Sequence, residues 1–347
     1  MNAKNEFKNI LIVRTDRIGD VVLTTPSIRA VKKHFPNARV TVLLSPATTD
    51  LLKGLDFIDE ILVDDRKNLH RGWRGYLSLI TMLRQKKFDL AVIYHTKRRT
   101  NLACFLANIP RRLGYKNNKY GFLLNNPAED TRHEGLKHET QYCLDLLSKI
   151  GIQSNNSSCE VARHANSDQW IKDFLVSKGI QTSDHLIVLH LSASDPARQW
   201  PKENFANLIS ELSKKYSQSK FIIIGTKESQ PLAADIQNMT KAEIIDTTGL
   251  ITLSQMVSLL AQVQLLISND SGPVHVAVAL GTPVVSIFTR NQPGINPQRW
   301  QPLGKNSRFV SVPFNDQISF KKNRAYDPKT MGSITVGQVL EAVDSLY

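Results

Sequence analysis

The stretch LLISNDSGPVHVAVALGTPVVSIFT, residues 265–289, decides the fold. It opens on the apolar run Leu265-Leu266-Ile267, too short for a helix and the length of a buried strand. The polar turn Ser268-Asn269-Asp270-Ser271-Gly272 follows, with Pro273 where a first helical turn tolerates a missing N–H. A helix is predicted from Val274 to Leu280, stopped by Gly281 and sealed by Pro283, and Val284 to Phe288 reads as the next strand. This is a strand–turn–helix–strand unit. The N-terminus of its helix carries unpaired N–H groups and partial positive charge, which suits a phosphate or diphosphate. Asp270 and His275 flank that terminus. Singly, they read more readily as a helix cap and a packed histidine. Ser271 adds a hydroxyl and Gly272 allows close approach of a ligand to the backbone, so the group together points to an anion cradle.

Length and composition bound the rest. A chain of 347 residues is long for one core, and two domains are expected. Hydrophobic content of 41% and charged content of 22% are ordinary for a soluble globular protein. The N-terminal MNAKNEFKN is too polar for a signal peptide, and no apolar run approaches the roughly eighteen residues of a bilayer span. Cys104, Cys143 and Cys159 lie far apart, without metal or redox spacing, and read as buried thiols of a reducing compartment. Residues 1–150 hold 26 Lys and Arg against 15 Asp and Glu, a net +11, which leaves only +2 for the remainder. Such asymmetry suits an anionic partner of the first half: a nucleic acid, an anionic lipid, or a phosphorylated or carboxylated substrate.

Strand and helix patterns alternate along the chain. In the first half, strands are expected at 9–14, 39–44, 60–63, 90–95 and 112–115. Helices are expected from Pro26, near 49–54, and at 76–86, 101–107 and 138–150. The polar QSNNSSC, residues 153–159, marks the boundary between a domain of residues 1–155 and one of residues 160–347. The pattern then restarts, with strands at 186–191, 221–225 and 243–246 leading into the opening unit and a last helix at 336–346. Two α/β domains with doubly wound parallel sheets follow, and a cleft between the C-terminal edges of both sheets is the expected ligand site. The first strand is followed by TDRIGD, without G-x-G-x-x-G, and no Walker A loop occurs, which disfavours NAD enzymes and P-loop kinases.

That first loop instead offers Asp16 and Asp20. Asp20 precedes Val21-Val22-Leu23, apolar neighbours that would raise its pKa toward a general-base role. A third constellation, LHLSASDPARQWPKENF at 189–205, follows the first strand of the second domain. Ser192 and Ser194 can bond phosphate oxygens, Arg198 can clamp a diphosphate, and Trp200-Pro201 reads as structural. Basic clusters at Lys97-Arg98-Arg99 and Arg111-Arg112 are candidates for an anionic acceptor or a lipid surface.

The stretches RIGDVVLTTPSIRAVKKHFP (17–36), SASDPARQWPKENFANLI (192–209) and SNDSGPVHVAVALGTPVVSIF (268–288), in this order, resemble glycosyltransferase family 9, the ADP-heptose:lipopolysaccharide heptosyltransferases. The resemblance covers nearly the whole chain. It implies a GT-B fold of two Rossmann-like domains, with acceptor on the first and nucleotide-sugar on the second. It further implies inverting, metal-independent transfer of heptose from an ADP-sugar to the inner core of lipopolysaccharide, without a cofactor, at the cytoplasmic face of the inner membrane. Under it Asp20 corresponds to the general base. Ser194, Arg198, Asp270, Ser271, Gly272 and His275 correspond to donor-binding positions, and Ile251 to a position lining the adenine pocket. Lys97, Arg98 and Arg99 remain the acceptor candidates. Two departures fall on the donor side: HLSAS in place of a glycine-containing turn, and Phe288-Thr289 where glycine is usual. Other readings are transfer of a different activated sugar to another surface glycan, a non-catalytic sugar-nucleotide-binding protein, and a nucleic-acid-binding module. The last lacks a reading motif and interleaved aromatics.

Overall fold

A computed structural model describes residues 7–117, 119–193, 198–314 and 332–347. The chain divides into two compact units. One comprises residues 1–132 with 139–162, and the other residues 133–138 with 163–347. The divide thus falls a few residues beyond the QSNNSSC stretch, and a short segment ahead of it belongs to the second unit. There His138 Nε2 lies 3.0 Å from the Gln301 carbonyl oxygen, and Gln298 donates to the Leu136 carbonyl at 2.7 Å.

The first unit contains strands β1 (Asn9–Val13), β2 (Arg39–Leu44), β3 (Glu60–Val63), β4 (Leu90–Ile93), β5 (Arg111–Tyr115) and β6 (Asn126–Ala128). All pair in parallel, in the order β3-β2-β1-β4-β5-β6. Helices α1 (Ile18–His34), α2 (Gly72–Gln85), α3 (Arg98–Leu106) and α4 (Glu139–Leu147) accompany it. Ile10, Leu11, Ile12 and Val13 are all fully buried, so both faces of the sheet are covered, as parallel strands require. Leu11, Val13, Leu43, Ala91 and Ile93 pack with Leu79 and Leu83 of α2 and Ala103 and Cys104 of α3.

The second unit repeats the plan. Strands β7 (His185–His190), β8 (Ser219–Ile224), β9 (Ile244–Asp246), β10 (Leu265–Asn269), β11 (Val284–Phe288) and β12 (Ser307–Ser311) are ordered β12-β11-β10-β7-β8-β9, again all parallel. Its helices are α5 (Ala165–Ser177), α6 (Lys202–Lys215), α7 (Gln230–Met239), α8 (Leu253–Leu260), α9 (Gly272–Leu280), the short α10 (Pro297–Trp300) and α11 (Val336–Asp344). Ile187, Leu189, Ile267 and Ile287 pack against Phe205 and Leu212 of α6 and Val339 and Val343 of α11. In each unit the third and fourth neighbours, β1 beside β4 and β7 beside β10, mark the point where the winding reverses. Open α/β sheets bind ligands outside that crevice.

One expectation is corrected here. The helix expected from Pro26 begins eight residues earlier, at Ile18, and Pro26 lies inside it. A proline at that place leaves the Val22 carbonyl without its helical donor. The Thr25 hydroxyl supplies one at 2.7 Å, and the Ser27 hydroxyl bonds the Thr24 carbonyl at 2.7 Å. Residues 21–28 are also buried on all sides, so no amphipathic stripe announces the helix. The consequence is functional, because Asp20 sits in a first helical turn rather than a loop.

The strands β6 and β12, absent from the sequence reading, are edge strands whose NPA and SRFVS carry little of the apolar pattern of a central strand. Helix α9 ends as expected, with Gly281 in the left-handed region at φ 78°. Cys104 and Cys143 are buried and Cys159 half-buried. All three are free thiols, pushed up to about 12 by burial and therefore poor nucleophiles.

Candidate functional site

Beyond β1 of the first unit, Arg14 is almost fully buried and meets three carboxylates. Its Nη2 donates to Asp20 at 2.5 Å and to Glu139, from α4, at 3.2 Å. Its Nε lies 3.0 Å from Asp16 but out of hydrogen-bond alignment, an electrostatic contact only. Burial pushes the Asp20 carboxyl up to about 6. The Arg14 charge and hydrogen bond oppose that rise, while Asp16 and Glu139 add to it. The positive end of α1 would also favour the carboxylate, so burial and like charge outweigh two stabilising influences. A carboxyl with a pKa near 6 is a competent proton acceptor at neutral pH.

A second polar group occupies the same sheet edge. Asp64, immediately after β3, is fully buried and receives Arg99 through two parallel hydrogen bonds of 2.9 and 2.8 Å, with Arg66 Nε at 3.0 Å. Burial alone would raise Asp64, but these two guanidinium groups hold it below the usual carboxylate range. Arg66 also donates to Thr15 at 2.8 Å. His95, just past β4, is lowered to about 3 by burial and by the cations Lys97, Arg14, Arg66 and Arg132, so it is neutral at cellular pH. The basic triplet divides. Lys97 and Arg98 are exposed at the start of α3, whereas Arg99 is committed to Asp64 and to the His70 carbonyl at 2.9 Å. Cations at a helix N-terminus oppose its dipole by about 0.3–1 kcal/mol each, so Lys97 and Arg98 occupy an end that an anion would relieve.

In the second unit, the predicted residues after β7 and β10 come together. Arg198 is ion-paired with Asp270, 72 positions along the chain. Ser271 precedes α9 without capping it through its side chain. Its hydroxyl instead lies 2.9 Å from that of Ser268 and 3.0 Å from His190 Nδ1. Gly272 opens the helix and His275 is buried in its first turn. Ile251 lies two strands away, on the loop between β9 and α8, half-buried. Ser194 lies outside the described residues. Among the described residues, no group of three His, Cys, Asp or Glu side chains could hold a metal ion.

Several residues here escaped the sequence reading. His190, lowered to about 4 by burial, is a neutral ring bridging Ser271 and Ser192, whose hydroxyl is 3.3 Å from Nε2. Asn269, fully buried, accepts from the Trp200 amide at 2.9 Å and donates to the Leu191 carbonyl at 2.5 Å, tying the loop after β7 to the end of β10. A polar residue closing a mostly apolar strand was the available signal for both. Replacing Asn269 by alanine orphans two backbone groups at about 1–3 kcal/mol each. A matching drop in urea unfolding free energy is expected.

Two Rossmann-like units whose parallel sheets share one winding make up a GT-B fold, and in each unit the polar groups described above gather at strand ends. A family profile, glycosyltransferase family 9 (heptosyltransferase), matches residues 76–330. The chain belongs to this glycosyltransferase family. Asp20 lies ahead of the matched span. Lipopolysaccharide heptosyltransferase 2 of Salmonella typhimurium is 23% identical over 360 residues, covering 97% of this chain and 98% of that protein. The crystal structure of a family 9 glycosyltransferase from Veillonella parvula superposes with a TM-score of 0.85 at 22% identity, over 98% and 97% of the two chains. ADP-heptose lipopolysaccharide heptosyltransferase II of E. coli follows at 0.76 and 19%, over 98% of each. No helix among the described residues is long and apolar enough to cross a membrane.

Proposed function

We propose that this glycosyltransferase moves heptose from ADP-heptose to the inner core of lipopolysaccharide by a single inverting displacement, with Asp20 as general base. The observation that carries the reading is the half-buried Asp20 carboxyl, held near 6 at the start of α1 and hydrogen-bonded to Arg14. Family membership and relatives whose names specify lipopolysaccharide and ADP-heptose support the substrates. Inversion requires a base on the acceptor hydroxyl, opposite the departing diphosphate, as the anomeric carbon passes through an oxocarbenium-like state. Asp20 takes that proton. The charge growing on the diphosphate is met by Arg198 and by the N–H groups at the start of α9 near Ser271, Gly272 and His275, with Ser194 a further phosphate contact. Ile251 lines the adenine side of the donor site.

Lys97 and Arg98 contact the anionic acceptor, with Arg99 holding that loop through Asp64. The acceptor is lipid-borne, so the enzyme works against the cytoplasmic face of the inner membrane, and no nucleic acid is involved. The decisive experiment incubates the protein with ADP-heptose and inner-core acceptor and follows ADP release together with the anomeric configuration of the product by NMR. Transfer with inversion supports the reading. Retention, or preferential turnover of a UDP-, GDP- or CDP-sugar, overturns it. Arg198→Ala removes one cation from the diphosphate site, so ADP affinity measured by calorimetry should fall by about 1–3 kcal/mol.

A further inference from the structure

Helix α2 of the first unit carries a surface for which transfer chemistry has no use. Trp73 and Leu77, one turn apart on the same helix face, are 68% and 50% exposed, and Leu69 in the preceding turn is 69% exposed. Single exposed apolar residues are ordinary, whereas three large ones grouped at one helix start call for a partner. They are also held out rather than left loose. The turn beneath them is anchored by the buried Asp64, which binds Arg99, and Arg99 in turn bonds the His70 carbonyl. Gly75 lets the backbone of that turn sit directly on the helix, since a Cβ there would lie 2.6 Å from the His70 carbonyl carbon and 2.7 Å from the Leu69 oxygen.

Most of the charge around this patch is positive, and the one carboxylate in its turn, Asp65, is held by the Lys67 and Asn68 amides and the Asn68 side chain. From residue 66 to residue 88 there are seven Lys and Arg and no Asp or Glu. Lys67, Arg71 and Arg74 are exposed within it, and the Arg74 guanidinium lies over the Trp73 ring, 5.2 Å from its centroid. An apolar wedge of Trp and Leu ringed by cations complements an anionic phospholipid surface, where the rings sit at headgroup depth and the cations meet phosphates. A purely protein partner would not require the absence of every acidic side chain over twenty-three residues. Helix α2 follows β3, so its start lies at the same sheet edge as Asp20 and Asp64.

We infer that Leu69, Trp73 and Leu77, with Lys67, Arg71 and Arg74, form a docking surface for an anionic phospholipid bilayer. This deepens the reading above, in which the acceptor is lipid-borne, and presents the acceptor-side edge of the first unit to the membrane.

The test is flotation of the full chain with vesicles of phosphatidylcholine alone or with added phosphatidylglycerol, without donor or acceptor. Binding to the anionic vesicles that weakens with salt is expected. Trp73→Ser with Leu77→Ser, and separately Arg71→Glu with Arg74→Glu, should each lower it about tenfold or more. Transfer to a deacylated, water-soluble acceptor should be unchanged in both. Absence of binding by the wild type, equal binding by the variants, or loss of a dimer in Trp73→Ser/Leu77→Ser with vesicle binding intact would each overturn the inference. Vesicle binding without transfer leaves the surface standing and refutes the function, and transfer without vesicle binding does the reverse.

Discussion

Asp20→Asn is expected to lower the rate of transfer by about 10²–10⁴-fold while ADP binding is retained. Asparagine keeps the size and the hydrogen bond but cannot take a proton, and the donor-side residues Arg198, Ser271 and His275 belong to the other unit. The wild type should also show an acid limb in kcat/KM centred near pH 6, because only the carboxylate form acts as base and burial holds Asp20 at about 6. A stability effect of opposite sign accompanies the loss. The folded state raises this carboxyl above its unfolded value, so the native protein binds the proton more tightly and stability falls as pH climbs through this window. At neutral pH the cost is about 1–3 kcal/mol. Asp20→Asn should therefore melt higher than the wild type at pH 7–8, and the advantage should vanish as the pH falls below the ordinary aspartate range. Unimpaired turnover in Asp20→Asn would remove the residue from the mechanism. A melting difference independent of pH would mean that the carboxyl is not strained by its surroundings.

Arg14→Met should produce the largest loss of stability. Methionine fits the buried volume but leaves Asp16, Asp20 and Glu139 without the cation that they share. Breaking a buried ion pair from one side costs about 3–5 kcal/mol. Where the variant still folds, Asp20 loses its opposing charge and its hydrogen bond, and the acid limb of kcat/KM moves above that of the wild type. Arg14→Lys keeps the charge without the planar fork and should recover part of both effects. Urea unfolding and pH–rate profiles of the two variants measure this. A Met variant as stable as the wild type would show that the three carboxylates are paired elsewhere.

The order of strands and helices was legible because short apolar runs separated by helical patterns permit little besides doubly wound parallel sheets. The turn into α9 and the end of that helix were equally legible, since Ser-Gly-Pro after a strand and Gly281 after a helix are local signals. The start of α1 was not. Its residues 21–28 are buried on every side, and Pro26 imitates a helix opening that Thr25 in fact repairs from within.

Asp20, Arg198 and Asp270 could be named as candidates from the sequence, because each announces its chemistry in its residue type and its neighbours, whereas the helix expected from Val274 opens two residues earlier, at Gly272. Their partnerships belong to the tertiary structure alone. Glu139 lies 125 positions from the arginine it shares with Asp20, His190 lies 81 positions from Ser271, and Arg198 lies 72 from Asp270. No local pattern encodes such pairs. They arise because parallel strands at a winding reversal carry the ends of distant segments to one edge, and it is burial at that edge which sets whether a carboxyl holds its proton.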